Sequence, residues 1–134
     1  MAVRVSAQGT SWATPGPRQR FAVAVAQLGN GTPVVSVMGE LNLAAVPGFE
    51  RTLLDVTEAA TGEVIVDLTR CSFLDSRGVR ALVATRQRLE RSDRSLALVA
   101  ASAIVMRILR FTGFDESFDI YPSLVAAGRG KSHG

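Results

Sequence analysis

The sequence predicts an α/β fold in which helices pack against a mixed β-sheet, and three observations carry that prediction. Two extended runs, Phe21 to Val25 and Val34 to Met38, flank the turn signal Gly29-Asn30-Gly31 and read as an antiparallel hairpin. Beyond them the short apolar runs Val64 to Leu68 and Leu96 to Val99 are of the kind covered on both faces, as in parallel or mixed sheets. Segments of helical spacing alternate with these runs, so the order reads β-β-α-β-α-β-α-β-α. At 134 residues, 47% hydrophobic and 20% charged, the chain has room for one such core and not for a second.

Each element has a local reason. In the hairpin Phe21, Val23 and Val25 alternate with smaller residues, and Gly39 ends the second strand. The first helix is expected over Leu43 to Ala60, where Leu43, Val46, Phe49, Leu53, Leu54 and Val56 largely fit helical spacing. Asn42 is its expected N-cap, Pro47 sits near its start where proline is tolerated, and Gly62 closes it. A second helix is expected from Ser76 to about Arg91, and a third over Ile104 to Phe111, where Ile104, Ile108 and Phe111 share a face and Gly113 ends the helix. Phe118 to Tyr121 reads as the last strand and Pro122 to Ala127 as a helical turn or two. Residues 1–19, with Gly9, Pro15, Gly16 and Pro17, read as a flexible leader, residues 20–127 as the domain, and residues 128–134 as a flexible basic tail.

The residue inventory removes most catalytic classes. Cys71 is the one cysteine, which excludes an intramolecular disulfide, and the one histidine, His133, lies in the tail, away from any nucleophile a rigid scaffold would hold. Gly130-Lys131-Ser132 ends like a phosphate loop, but Val125 stands where that pattern needs glycine. Glu40, Asp67 and Asp75 fall near strand ends and read first as turn formers or caps. The expectation is a protein that is not an enzyme and takes no cofactor and no metal. With no apolar run long enough for a signal peptide or a membrane helix, the expected location is cytoplasmic, without membrane contact.

One constellation stands out between the third strand and the second helix. Asp75 and Ser76 fall where that helix begins, so one can cap it while the other presents its hydroxyl beside unpaired backbone N–H groups. The runs Gly39-Glu40-Leu41-Asn42, Phe73-Leu74-Asp75-Ser76-Arg77-Gly78-Val79 and Phe111-Thr112-Gly113-Phe114-Asp115 together resemble the STAS domain of bacterial anti-anti-sigma factors, over about Phe21 to Ala127. The resemblance implies the STAS fold and an anti-sigma factor antagonist. In that family the unphosphorylated antagonist binds an anti-sigma factor and so releases a sigma factor. The anti-sigma factor is itself a serine kinase that phosphorylates the serine after the aspartate, and a phosphatase reverses the modification. Carried onto this chain, the resemblance implies that Ser76 is the phosphoacceptor, that Asp75, Arg77 and Gly78 form its loop and cap, and that Glu40, Asn42, Arg77, Arg80, Ala81, Ala84 and Arg88 face the partner. Where the family commonly has aspartate this chain has Asn42, and where it has serine or threonine this chain has Arg77.

An angular count of the second helix gathers Val79, Leu82, Val83 and Leu89 on one side and Arg77, Arg80, Arg88 and Arg91 on the other, with Ala81 and Ala84 between them. Arg86 falls on the apolar side and is expected at the core's edge. The basic side is either a solvated face or a docking face, and Arg77 suits a phosphate on Ser76, an acidic partner or solvent. Cys71 is either a redox sensor or a small buried hydrophobe.

Charge separates the remaining readings. Fifteen basic against twelve acidic residues and a pI near 10.0 invite a nucleic-acid reading. However, Arg4, Arg18, Arg129 and Lys131 lie outside the domain, and without them eleven basic residues face the same twelve acids. The excess therefore contracts to the second helix, and an acidic protein surface is the expected partner rather than nucleic acid. The alternative is a STAS docking subunit of another assembly, a lipid-transporter component or a stress-signalling scaffold.

Overall fold

A computed structural model describes residues 3–6, 21–100 and 102–131. The elements are β1 (Val3–Ser6), β2 (Phe21–Leu28), β3 (Pro33–Leu41), α1 (Val46–Ala59), β4 (Val64–Leu74), α2 (Ser76–Glu90), β5 (Leu96–Val99), α3 (Ala103–Thr112), a 3-10 turn (Asp115–Ser117), β6 (Asp119–Tyr121) and α4 (Leu124–Lys131). The six strands form one sheet in chain order. β1, β2 and β3 are antiparallel neighbours, and β3 to β6 run parallel. The expected mixed α/β architecture is thus present, with one strand more than expected.

That topology decides where the helices lie. Parallel strands in chain order, joined by crossovers of one hand, put α1, α2 and α3 on the same face of the sheet. Val46, Phe49 and Leu53 of α1, Val79, Leu82 and Leu89 of α2, and Val105 and Leu109 of α3 accordingly share one core with Val35, Val66, Leu68 and Leu98. α1 and α3 both pack against α2, which lies between them. On the opposite face Ala127, Leu124 and Tyr121 cover a smaller core of Ala26, Leu28, Val34, Ile65, Ala97 and Val99. β2 shows why its alternation matters: Val23 and Val25 enter the three-helix side, whereas Ala26 and Leu28 enter the other.

Several expected boundaries move. Val3–Ser6, inside the segment read as a leader, forms an edge strand on β2, with Val3 and Val5 alternating with polar residues. The rest of that segment and the last three residues, with His133, lie outside the described residues. α4 continues past Ala127 to Lys131, into the segment read as a tail; Ala127 is its buried anchor, and the Ser123 Oγ accepts from the Ala126 N–H at 3.1 Å to start it. α1 starts at Val46, three residues later than expected, because Asn42 caps a preceding turn and Pro47 enters the helix in its first two positions. Leu43 is therefore outside the helix and 52% exposed, and Leu54 is 39% exposed, so neither is a core residue.

In α3 the face chosen from the spacing is the wrong one. Ser102 caps the helix and Gly113 ends it at φ 80, a left-handed conformation that favours glycine. The buried residues are Val105 and Leu109, whereas Ile104 is 54% and Phe111 92% exposed. The same helix offers two apolar stripes, and only one of them can face the sheet.

The end of α1 is tied down across the chain by Arg94. Its Nε donates to the Gly62 carbonyl at 3.0 Å and its NH1 to the Thr57 carbonyl at 2.9 Å. A cation at a helix C-terminus also complements the macrodipole. Replacing Arg94 with Met is expected to cost about 1–2 kcal/mol in urea denaturation, whereas Arg91→Met, at an exposed position, stays within about 0.5 kcal/mol of the parent.

Candidate functional site

β3 and β4 end side by side, Leu41 beside Leu74. Their register shifts twice, between Ser36 and Met38 and between Gly39 and Glu40, and each shift places one extra residue on β4. These are β-bulges, which re-aim the side chains that follow them. Buried positions on β4 consequently fall at Leu68, Cys71 and Leu74 rather than at every second residue. At the first bulge the Asp67 Oδ1 accepts from the Thr69 N–H at 2.9 Å and from its hydroxyl at 2.5 Å. At the second the Cys71 thiol donates to the Phe73 carbonyl at 3.1 Å.

The strand ends seat the start of α2. The Asp75 N–H donates to the Leu41 carbonyl at 2.9 Å, which joins the end of β3 to the helix start. Asp75 is the N-cap, extended at φ −66 and ψ 149, and its Oδ1 accepts from the Arg77 N–H at 2.8 Å. Its carbonyl accepts from the N–H groups of Gly78 and Val79 at 2.8 and 3.1 Å. Ser76 is the first helical residue and is exposed. Gly78 is where helix and strands meet: a Cβ there would lie 2.9 Å from Leu41 Cδ2 and 3.0 Å from Leu74 Cδ1, both side chains being buried. Glycine is thus what allows α2 to rest directly on the paired ends of β3 and β4.

The N-terminus of α2 carries one acid, the Asp75 cap; the first turn itself has none, and Arg77 is exposed there with Arg80 exposed just beyond it. Cations at that end oppose the macrodipole by about 0.3–1 kcal/mol each. Helix stability therefore does not account for Arg77.

The structure gathers Glu40, Asn42, Asp75, Ser76, Arg77 and Gly78 at one end of the sheet, with the Asn42 Oδ1 holding the Ala45 N–H at 3.1 Å. Arg80, Ala84 and Arg88 continue outward along α2, Arg88 lying about 18 Å from Ser76 at 1.5 Å per residue. Ala81 is a correction: it is 4% exposed and packs in the core, so it offers nothing to a partner. Of the two readings of Cys71 the structure favours the small buried hydrophobe over the redox sensor. The thiol is buried, and burial pushes its pKa up, away from the reactive thiolate. Arg86 takes its expected place at the core's edge, paired with Glu90 at 2.9 Å and 5.8 Å from the Phe118 ring centroid.

Two surface residues of the site escaped the sequence reading. Phe73, 42% exposed, immediately precedes Leu74, and Leu43 follows the end of β3. The signal for Phe73 was its neighbour: with Leu74 in the core, an adjacent strand residue must face away from it. A cleft of about 920 Å³ lies at the opposite end of the strands, lined by residues such as Asn30, Thr32, Asp55 and Glu63, and none of the site residues named above borders it.

Comparison with known proteins follows the same outline. The STAS domain profile matches residues 24–127. The chain is 32% identical over 82 residues to an anti-sigma-B factor antagonist of Staphylococcus epidermidis, covering 61% of this chain and 76% of that one. It is 28% identical over 95 residues to the anti-sigma-F factor antagonist RsfB of Mycobacterium tuberculosis, covering 71% and 77%. The crystal structure of an anti-sigma factor antagonist from Mycobacterium paratuberculosis superimposes with a TM-score of 0.75 at 29% identity, covering 82% of this chain and 92% of that one.

Two outcomes follow from the packing. Gly78→Ala sets a crowding cost of about 1–3 kcal/mol, from a Cβ against the buried ends of Leu41 and Leu74, against a helix-propensity gain of about 1 kcal/mol, so stability is expected to fall by up to about 2 kcal/mol; a rise in chemical denaturation would contradict the close approach. Cys71 is expected to resist a thiol-specific disulfide reagent in the native chain at pH 8 and to react with one equivalent once denatured.

Proposed function

The chain belongs to the STAS domain family, and from that premise we propose that it is an anti-sigma factor antagonist switched by phosphorylation of Ser76. The observation that carries this reading is the exposed serine at the first position of α2, rigidly seated by the Asp75 cap and the Gly78 contact. The names of the antagonist relatives from Staphylococcus epidermidis and Mycobacterium tuberculosis support the same role. The unphosphorylated form binds an anti-sigma factor with serine kinase activity and thereby frees a sigma factor; a phosphatase resets the switch.

The docking surface is centred on Ser76. Phe73 and Leu43 supply exposed apolar contacts beside it, and Arg77 and Arg80 supply positive charge, so the matching partner surface is apolar with an acidic margin. Glu40 and Asn42 border the serine from the end of β3. Asn42 keeps a capping oxygen without the charge of aspartate, so the ground near Ser76 carries one negative charge fewer.

Phosphorylation acts on the complex rather than on the fold. A phosphate on Ser76 adds nearly two negative charges at a helix N-terminus, where the macrodipole favours an anion. Asp75 already occupies the Arg77 N–H, which leaves the phosphate facing outward toward the partner. An unmatched charge buried in that contact at a cost of about 3 kcal/mol weakens it more than a hundredfold.

The test uses the host's kinase-type anti-sigma factors with ATP. Incubation is expected to add one phosphate, by intact mass, to the parent chain and none to Ser76→Ala. Ser76→Ala is expected to bind the anti-sigma factor with or without ATP, and Ser76→Glu to lose at least a hundredfold in affinity while keeping the parent's circular dichroism. If neither substitution changes binding, Ser76 is not the switch.

A further inference from the structure

The two helices that flank α2 carry outer faces that nothing in the domain fold uses. On α3, Ile104, Arg107, Arg110 and Phe111 are exposed along one side of the helix, with Phe111 92% and Ile104 54% exposed. On α1, Glu50, Leu54, Asp55 and Glu58 are exposed, with Leu54 39% exposed and Arg51 as the one cation among them. Among the described residues neither set enters an ion pair. A phenylalanine this exposed on a regular helix lacks any packing reason within the domain.

We propose that the α3 face of one copy of this chain docks on the α1 face of a second copy, so that the chain associates head to tail. The faces are complementary in charge and in length. Arg107 and Arg110 oppose an outer face with three carboxylates, while Ile104 and Phe111 meet Leu54. The seven-residue reach from Ile104 to Phe111 spans about 10 Å, and the eight residues from Glu50 to Glu58 about 12 Å. Because α1 and α3 sit on opposite sides of α2, a copy that pairs through one of these faces keeps the other free. Such a heterologous contact does not close at a dimer unless the rotation closes a ring. Single-helix faces of this size belong to the weak, transient class of interface, and the charged margin makes the contact sensitive to salt. Ser76, at the start of α2, belongs to neither of the two contact faces.

Sedimentation of the full-length chain from micromolar to millimolar concentration tests the proposal. The weight-average mass is expected to rise past that of a dimer in roughly 0.01 M salt and to fall back in roughly 1 M salt. Phe111→Ser, at a solvent-facing position, is expected to weaken association at least tenfold with unchanged circular dichroism. The charge reversals Arg107→Glu with Arg110→Glu, and separately Glu50→Lys with Glu58→Lys, are each expected to abolish self-association. Mixing the two reversed chains restores it, because each reversed face then meets its complement. A parent chain that remains monomeric at millimolar concentration overturns the proposal and assigns the α3 face to a different protein. Association that survives both reversals, or that the mixture of the two fails to restore, overturns it as well.

Discussion

The parallel pairing of β3 with β4, carried past the middle of the sheet to Leu41 and Leu74, is the constraint on which the site depends. β5 pairs with β4 only as far as Asp67, so the last seven residues of β4 are held in register by β3 alone. Two bulges let that stretch keep Cys71 and Leu74 inside while the strand twists. Without them the alternation would carry every residue after the shift to the wrong face. The start of α2 inherits its position from this arrangement through one hydrogen bond, from the Asp75 N–H to the Leu41 carbonyl, and one close contact, at Gly78.

A rigid base of this kind separates stability from signalling. The groups that seat the start of α2 are the Asp75 carboxylate, the Asp75 backbone and Gly78, while Val79, Leu82 and Leu89 bury the helix in the core. The groups that face outward are Ser76, Arg77, Arg80, Phe73 and Leu43, none of which belongs to the buried core. A charge added to the second set therefore meets solvent or a partner and leaves the first set untouched. On the proposed function, modification of Ser76 changes affinity without a refolding step, since differential contact with the partner is all that a switch requires.

The order of strands and helices between Phe21 and Ala127 was legible because each element has either continuous apolar runs or a cap, and Asp75 with Ser76 could be placed at a helix start from residue types alone. Three features were not legible, for physical reasons. The extension of β4 from Thr69 to Leu74 was hidden because bulges reset the two-residue period that identifies a strand. The buried face of α3 was misassigned because Ile104, Ile108 and Phe111 form as good a stripe as Val105 and Leu109, and the choice between them is made by the sheet. Ala81 looked like surface because α2 buries a wider arc than its large apolar residues mark out; Gly78, Ala81 and Thr85 complete that arc. β1 contains only four residues and lay within a stretch whose glycines and prolines dominate the pattern.

The sheet order has a kinetic meaning. Every strand from β2 to β6 is hydrogen-bonded to the strand before it in the chain, but the parallel pairs, such as Val34 with Ile65 and Val64 with Leu96, form only after a helical crossover returns. Such pairings meet the loop-closure cost before their contacts repay it, so they form more slowly than the β2–β3 hairpin. Everything that seats Ser76 lies between Pro33 and Glu90, an uninterrupted stretch made before α3 and β6 during synthesis from the N-terminus. The β3–β4 pairing that seats Ser76 is therefore complete in sequence before β5, which pairs with the first half of β4, has been translated.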